Sequence, residues 1–214
     1  DGARLRPKED ESAATDQPIR IGCVLGPDHE AKGTVDLLSA VAIVVEHAEA
    51  RQFEMDAIAV DTPQKLLIKN AKVIDYFTTR GYTTGAEKEK WFAALDAFVL
   101  PSREEGFPNI VLEAMACGLP LIATRVGAMP SIISDGETGL LIDPGDVMAL
   151  ARCMEMIIGS RDLRKRLGHA ARRLVEDSYA ETGNWATHLC GFYEDLALAR
   201  RQRIGDAVWS SEDR

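Results

Sequence analysis

The chain has 214 residues, 46% of them apolar and 28% charged, with a formal net charge of −9 and a pI near 5.0. This composition supports one large folded domain or two small ones and excludes a disordered chain. The acidic balance argues against a nucleic-acid surface, which needs a concentrated excess of Lys and Arg.

Four scattered cysteines, Cys23, Cys117, Cys153 and Cys190, show no C-x-x-C spacing and no paired histidines. They indicate neither a metal site nor a disulfide framework, and read as buried free thiols in a reducing compartment. The first 18 residues, "DGARLRPKEDESAATDQP", are polar where a signal peptide is apolar, and no apolar run approaches the ~18 to 20 residues that span a bilayer. A soluble, cytoplasmic chain is expected.

The elements then alternate. "IRIGCVL" (Ile19 to Leu25) predicts a buried strand, followed by a loop, "GPDHEAKG", and by a helix whose apolar residues Leu37, Val41, Val44 and Ala48 recur at helical spacing. "FEMDAIAV" predicts a strand, "TPQKLLIKN" a short helix or turn, "KVIDYF" a strand, "AEKEKWFAALD" a helix and "AFVLP" a strand. "NIVLEAMACG" continues as a helix, "PLIAT" as a strand, "MPSIISDG" as a helical turn and "TGLLID" as a strand. From Asp146, a candidate N-cap, only helices follow: "VMALARCMEMII", "SRDLRKRLGHAARRLVED" and "TGNWATHLCGFYEDLALARRQR". Such alternation predicts βαβ units: a Rossmann-like three-layer α/β sandwich with a parallel sheet and added C-terminal helices.

In an open parallel sheet the ligand crevice lies beyond the C-terminal strand ends, which is where "AFVLP" delivers "SREEGFPN". Gly106 is suited to a positive φ and a close backbone approach, Pro108 to the first turn of a helix, and the N–H groups of Asn109 and Ile110 to an anion such as phosphate. Glu105 precedes the helix and Glu113 lies one turn beyond Asn109, so both carboxylates can face one crevice and accept from the hydroxyls of a nucleotide sugar. On the residues alone, Glu105 reads equally as an exposed loop charge, and Glu113 as a helix residue paired with Arg125 or a lysine. A carboxylate in so apolar a helix needs some partner. No G-x-G-x-x-G follows the first strand, which argues against a dinucleotide-binding dehydrogenase.

The stretch from Asp96 to Asp146, with its E-G-F-x-x-x-x-x-E run from Glu105 to Glu113, resembles the donor-binding half of the retaining, GT-B-fold, group 1 (family 4) glycosyltransferases. The likeness extends weakly back to Ile19 through "AKG" (Ala31 to Gly33) and forward to the family's closing helices, around Trp185 and Tyr193. It implies one half of a GT-B fold that binds a nucleotide-diphosphate sugar, with no cofactor and no metal. Glu105 matches the glutamate that contacts the donor sugar near the reacting carbon, and Glu113 the one that binds ribose hydroxyls. Gly106, Phe107, Asn109 and Ile110 match the segment along sugar and diphosphate, and Lys32 a lysine that neutralises the diphosphate. Apart from the resemblance, the loop around Gly81 to Thr84 is expected to read the base, from its position after a strand alone.

Two departures stand out. Pro27 occupies the place of an arginine that the family sets before its lysine, with His29 a weak substitute. "GAMPSI" replaces a G-G-x-P-E-I phrase, with Ala128 and Ser131 at the changed positions.

"DGARLRP" resembles the phrase that joins the family's two domains. Residues 1–18 are therefore expected to be a linker remnant, 19–203 the nucleotide-sugar-binding domain with closing helices, and 204–214 a tail. The expected partners are the donor, an N-terminal acceptor domain or subunit, and an acceptor glycan or lipid-linked sugar. The full enzyme would be cytoplasmic or peripheral to the inner face of a membrane. A non-catalytic binding or scaffolding module of the same fold is the alternative: the glutamate pair favours the enzyme, Pro27 the module.

Overall fold

The computed structural model describes residues 17–179 except 27, 48–52, 62–64, 66, 70 and 72. Nearly all of the expected linker, the third C-terminal helix with Trp185 and Tyr193, the tail, Pro27 and Cys190 lie outside the described residues. Six strands run in parallel: β1 (Ile19–Val24), β2 (Phe53–Ile58), β3 (Phe77–Thr79), β4 (Ala97–Leu100), β5 (Leu121–Thr124) and β6 (Leu140–Ile142), in the order β3-β2-β1-β4-β5-β6. Among the described residues the helices with both ends placed are α1 (Thr34–His47), α2 (Gly85–Ala93), α3 (Asn109–Ala116), α4 (Met129–Ile132), α5 (Val147–Gly159) and α6 (Arg161–Tyr179), and residues 65 and 67–69 are helical as well.

The strands alternate between two cores. Ala97 and Val99 of β4 and Ile122 of β5 face Leu37, Val41 and Val44 of α1 and Leu150, Met154 and Ile157 of α5. Phe98, Leu100, Leu121 and Ala123 face Trp91 and Phe92 of α2 and Val111, Leu112 and Met115 of α3. The sheet is thus buried on both faces, with α1 packed on α5 to one side and α3 on α6 to the other. This is the expected three-layer sandwich.

One element differs. "KVIDYF" is not a strand throughout: Ile74–Tyr76 forms a 3-10 turn and the ladder begins only at Phe77, opposite Met55. The turn lets Val73 enter the core while Ile74 stays exposed, and sets the Tyr76 ring 5.2 Å from that of Phe53. A strand would have sent adjacent Val73 and Ile74 to opposite faces of a sheet edge with no apolar cover for the second.

The C-terminal layer begins as expected: Asp146 Oδ1 accepts from the Ala149 N–H at 2.8 Å. Arg164, at the start of α6, donates to the Ile157 and Ile158 carbonyls at the end of α5, and burial draws its pKa below the usual arginine range. Cys23 and Cys117 are buried, but Cys153 only half so. Burial, followed by the nearby Asp56, pushes the Cys23 thiol far above its usual range, and burial with Asp135 raises Cys153, so neither is poised as a thiolate. Among the described residues no helix is long and apolar enough to cross a membrane, and no cluster of His, Cys, Asp and Glu could hold a metal ion.

Candidate functional site

The strand order reverses between β1 and β4, and their C-terminal ends open the crevice in which ligands of such sheets bind. From β1 comes the loop bearing Lys32, and from β4 the loop bearing Glu105. The two side chains meet in an ion pair, Lys32 Nζ to Glu105 Oε1, and Ser102 Oγ donates to the same oxygen at 2.9 Å. Ser102 is itself wholly buried, with its carbonyl accepting from Thr124 Oγ1 at the end of β5.

The loop that carries Glu105 is clamped from both sides. Toward α1, the N–H groups of Arg103 and Glu104 donate to the Ala31 carbonyl, and the Arg103 guanidinium grips the buried Asp36 through two bonds of 2.8 Å. Those bonds to Asp36 raise the pKa of Arg103. Gly33, at φ +64°, lies so close beneath Pro101 that a Cβ there would fall 2.0 Å from the Pro101 carbonyl oxygen. Toward α4, the Ala128 N–H donates to the Gly106 carbonyl at 3.0 Å. At Gly127, φ +54°, a Cβ would meet the Glu105 carbonyl at 2.0 Å. Both glycines are therefore required by close backbone approach.

Glu113 sits one turn into α3 and largely buried. Its Oε1 accepts from Lys88 Nζ, on α2, at 2.7 Å, while Oε2 is buried with no hydrogen-bond partner. The lysine partner is thus Lys88. Arg125 pairs instead with Asp135 at 2.6 Å and, more loosely, with Asp143 at 3.7 Å.

Three local expectations need correction. Gly106 does not adopt a positive φ, and a Cβ there would meet nothing within 4 Å; it is Gly127 that supplies the left-handed conformation on which the loop rests. The Asn109 N–H is not free, because the chain turns tightly enough for it to donate to the Phe107 carbonyl at 3.1 Å. Pro108 stands before the first turn of α3 rather than within it, as its N-cap. Ile110 is half-buried against the second core, and Phe107 stays exposed at the rim. Tyr82, in the loop Gly81 to Thr84, is the most exposed large apolar side chain among the described residues at 83%.

Lys88, Ser102, Asp36 and Gly127 were not singled out from sequence. For Lys88 a signal existed: it lies three residues before the buried Trp91 and so shares the inward face of α2. A cleft of about 420 Å³ lies elsewhere, between β6 and α5, lined by Arg125, Asp143, Arg152 and Cys153 among others. It sits at the sheet's edge strand, and the Lys32–Glu105 pair across the switch point is the better guide to the chemistry.

Comparison with known proteins agrees with the fold. Over 118 residues the chain is 35% identical to D-inositol 3-phosphate glycosyltransferase of Paenarthrobacter aurescens, covering 55% of this chain and 28% of that protein. The chain spans less than half the length of the curated relatives it matches. The crystal structure of the C-terminal domain of the glycosyl transferase group 1 family protein LpcC from Francisella tularensis superposes with a TM-score of 0.66 at 28% identity, over 75% of this chain and 86% of that one. Anabaena HepE, solved with UDP and glucose, shares the fold at a TM-score of 0.66 and 19% identity, over 85% of this chain and 47% of that one. A family profile, glycosyl transferases group 1, matches residues 18–160. With its switch-point order and its E-G-F-x-x-x-x-x-E loop, the chain belongs to the group 1 glycosyl transferases.

Proposed function

We propose that the chain is the donor-binding domain of a retaining glycosyltransferase. It takes a nucleotide-diphosphate sugar and, joined to an N-terminal acceptor domain, transfers the hexosyl group to a hydroxyl of a glycan or lipid-linked sugar. The observation that carries this reading is the ion pair between Lys32, on the loop after β1, and Glu105, on the loop after β4, across the β1/β4 switch point, with the half-satisfied Glu113 carboxylate one turn into the helix that follows. Glu113 accepts from the ribose, Lys32 offsets the charge that develops on the departing diphosphate, and Glu105 faces the sugar near the reacting carbon. Gly106, Phe107, Asn109 and Ile110 line the path of the diphosphate and sugar, with open space at Gly106 for a ligand to approach the backbone. The presence of UDP and glucose in HepE, which has the same fold, supports a nucleotide-sugar donor.

Retention requires the acceptor hydroxyl to approach the face of the donor carbon that the nucleotide leaves. Positioning of that kind accounts for ~7 to 11 kcal/mol of barrier lowering, and here it falls to the acceptor domain. The isolated chain therefore binds donor without turning it over. The full enzyme, on this reading, takes no cofactor and is cytoplasmic or peripheral to the inner face of a membrane. Titration of UDP, GDP and ADP by calorimetry tests the reading. Modest binding of at least one is expected, and no binding of any at millimolar concentration overturns it.

A further inference from the structure

We infer that Lys88 is a positioning residue for donor recognition: it holds the Glu113 carboxylate so that Oε2 is presented to the ribose, and ties that contact to the loop Gly81 to Thr84. The inference rests on the nucleotide-binding reading above. Its basis is an asymmetry within one carboxylate. Oε1 is engaged by Lys88 at 2.7 Å, with side-chain exposures of only 22% for Lys88 and 18% for Glu113, whereas Oε2 is buried and accepts nothing. Buried polar atoms in native proteins nearly always have partners, and an orphan calls for an explanation such as an absent ligand. A merely structural ion pair would gain by satisfying both oxygens, since a half-satisfied buried charge offsets much of its own attraction.

The pair is also mounted rigidly. Lys88 projects from α2, which is anchored by Trp91 and Phe92 against Phe98 with ring centroids 6.1 and 6.0 Å apart. Glu113 projects from α3, anchored by Val111, Leu112 and Met115. Neither helix can follow the other if the bond is lost, so Glu113 would be free to choose another rotamer. The Lys32–Glu105 pair differs, because both partners stand on loops.

Finally, α2 begins at Gly85, φ +53°, directly after Thr84. Lys88 lies within its first turn, so the end of the loop that carries exposed Tyr82 and the lysine that aims the ribose acceptor stand on one anchored element. A residue on the base-proximal loop's own helix thereby sets the aim of the ribose carboxylate.

The test compares UDP, its 2′-deoxy and 3′-deoxy forms and inorganic pyrophosphate as ligands of the wild type and of Lys88→Met, Lys88→Arg, Glu113→Gln and the double variant Lys88→Met/Glu113→Gln, with the GDP or ADP series used if those bind better. Wild type should prefer the full nucleotide over the form lacking the contacted hydroxyl by about tenfold or more. Lys88→Met should bring that ratio to within about twofold while pyrophosphate binding is unchanged, and Lys88→Arg should restore most of it. The double variant should discriminate no worse than Glu113→Gln. Should Lys88→Met fail to fold, the double variant, which leaves no buried carboxylate unpaired, and Lys88→Arg supply the comparison. A ratio preserved in Lys88→Met, or equal loss of pyrophosphate and nucleotide with the ratio intact, overturns the inference while leaving the proposed function standing. Failure of the wild type to bind any nucleoside diphosphate removes both.

Discussion

Gly127→Ala isolates the device that holds the Glu105 loop. The residue adopts φ +54°, where an L side chain costs about 1 kcal/mol or more relative to glycine. Its added Cβ would fall 2.0 Å from the Glu105 carbonyl oxygen and 2.7 Å from that of Gly106. Neither is the end of a flexible side chain; both are backbone, so the loop must retreat by about 1 Å or more. Overpacking of this kind costs about 1 to 3 kcal/mol. The retreat also loosens the 3.0 Å bond from the Ala128 N–H to the Gly106 carbonyl, for about 1 kcal/mol more. The sum is a loss of about 3 to 5 kcal/mol.

Gly106→Ala is the matched control, since it has no positive φ and open space at the Cβ position. Its stability should stay within about 1 kcal/mol of wild type, with any change reflecting the unfolded chain. Urea unfolding of the three proteins, compared at constant m, measures the difference. On the proposed reading Gly106→Ala should still weaken binding of a nucleotide sugar, because the added methyl occupies space the ligand needs. A Gly127→Ala protein within 0.5 kcal/mol of wild type, or a Gly106→Ala protein equally destabilised, would refute the reasoning.

On the proposed reading, Glu113→Ala should weaken nucleoside diphosphate binding about tenfold to a hundredfold, the worth of a charge-assisted hydrogen bond, and calorimetry reads it directly. Arg80→Met should destabilise the fold by about 3 kcal/mol in urea unfolding, because it strands Asp56, buried within β2 and held by Arg80 through bonds of 2.9 and 2.8 Å; Asp56→Asn in the same background should recover part of the loss. Asp135 gives a pH test. Burial raises its pKa, but hydrogen bonds from the Leu141 N–H and Arg125 outweigh it and the net direction is down. A carboxylate with a depressed folded-state pKa stabilises above its unfolded value and loses that contribution as pH falls through the folded one. The advantage of wild type over Asp135→Asn, about 1 kcal/mol at this half-exposed site, should be full at pH 7 and vanish in acid below the usual carboxylate range, as thermal melts across pH will show.

The parts of the site legible in sequence are those whose signals are local. The β4 strand, the loop after it and α3 occupy one short stretch, and the apolar runs and the proline that mark them lie within it. That helices would cover both faces of the sheet was legible for the same reason, since short apolar runs such as β4 and β5 alternate with helical spacings such as that of α1. Partner choice was less so. The spacing to Trp91 favours Lys88 over Lys90, but nothing in the sequence chooses between Lys88 and Arg125, because the contact depends on how α2 docks on the sheet. The glycines teach the same lesson: whether a Cβ is tolerated at Gly106 or Gly127 depends on which carbonyl lies across the gap, and that carbonyl belongs to another loop. "KVIDYF" misled because β-branched and aromatic composition does not reveal that Ile74 has no face to pack against.

The resting electrostatics of the switch point lead to a further expectation. Lys32 is engaged by Glu105, so a diphosphate that enters must share or take that lysine from the carboxylate. Two unit charges at 4 Å interact by about 4 kcal/mol at an effective dielectric of 20, so Glu105 and a phosphate oxygen compete for Lys32 at comparable strength. On the proposed reading the competition has a useful product: a Glu105 released from Lys32 can offer its other carboxylate oxygen to the sugar while Ser102 Oγ still donates to Oε1. Glu105→Ala removes the competitor. It should therefore leave UDP or GDP binding intact or tighten it a few-fold, while weakening the intact nucleotide sugar, which loses its own contact. Calorimetry with nucleoside diphosphate and nucleotide sugar on the same variant separates the two effects. If Glu105→Ala weakens the bare nucleotide as much as Glu113→Ala does, then Glu105 supports the diphosphate site rather than competing with it, and the division of roles between the two carboxylates is wrong.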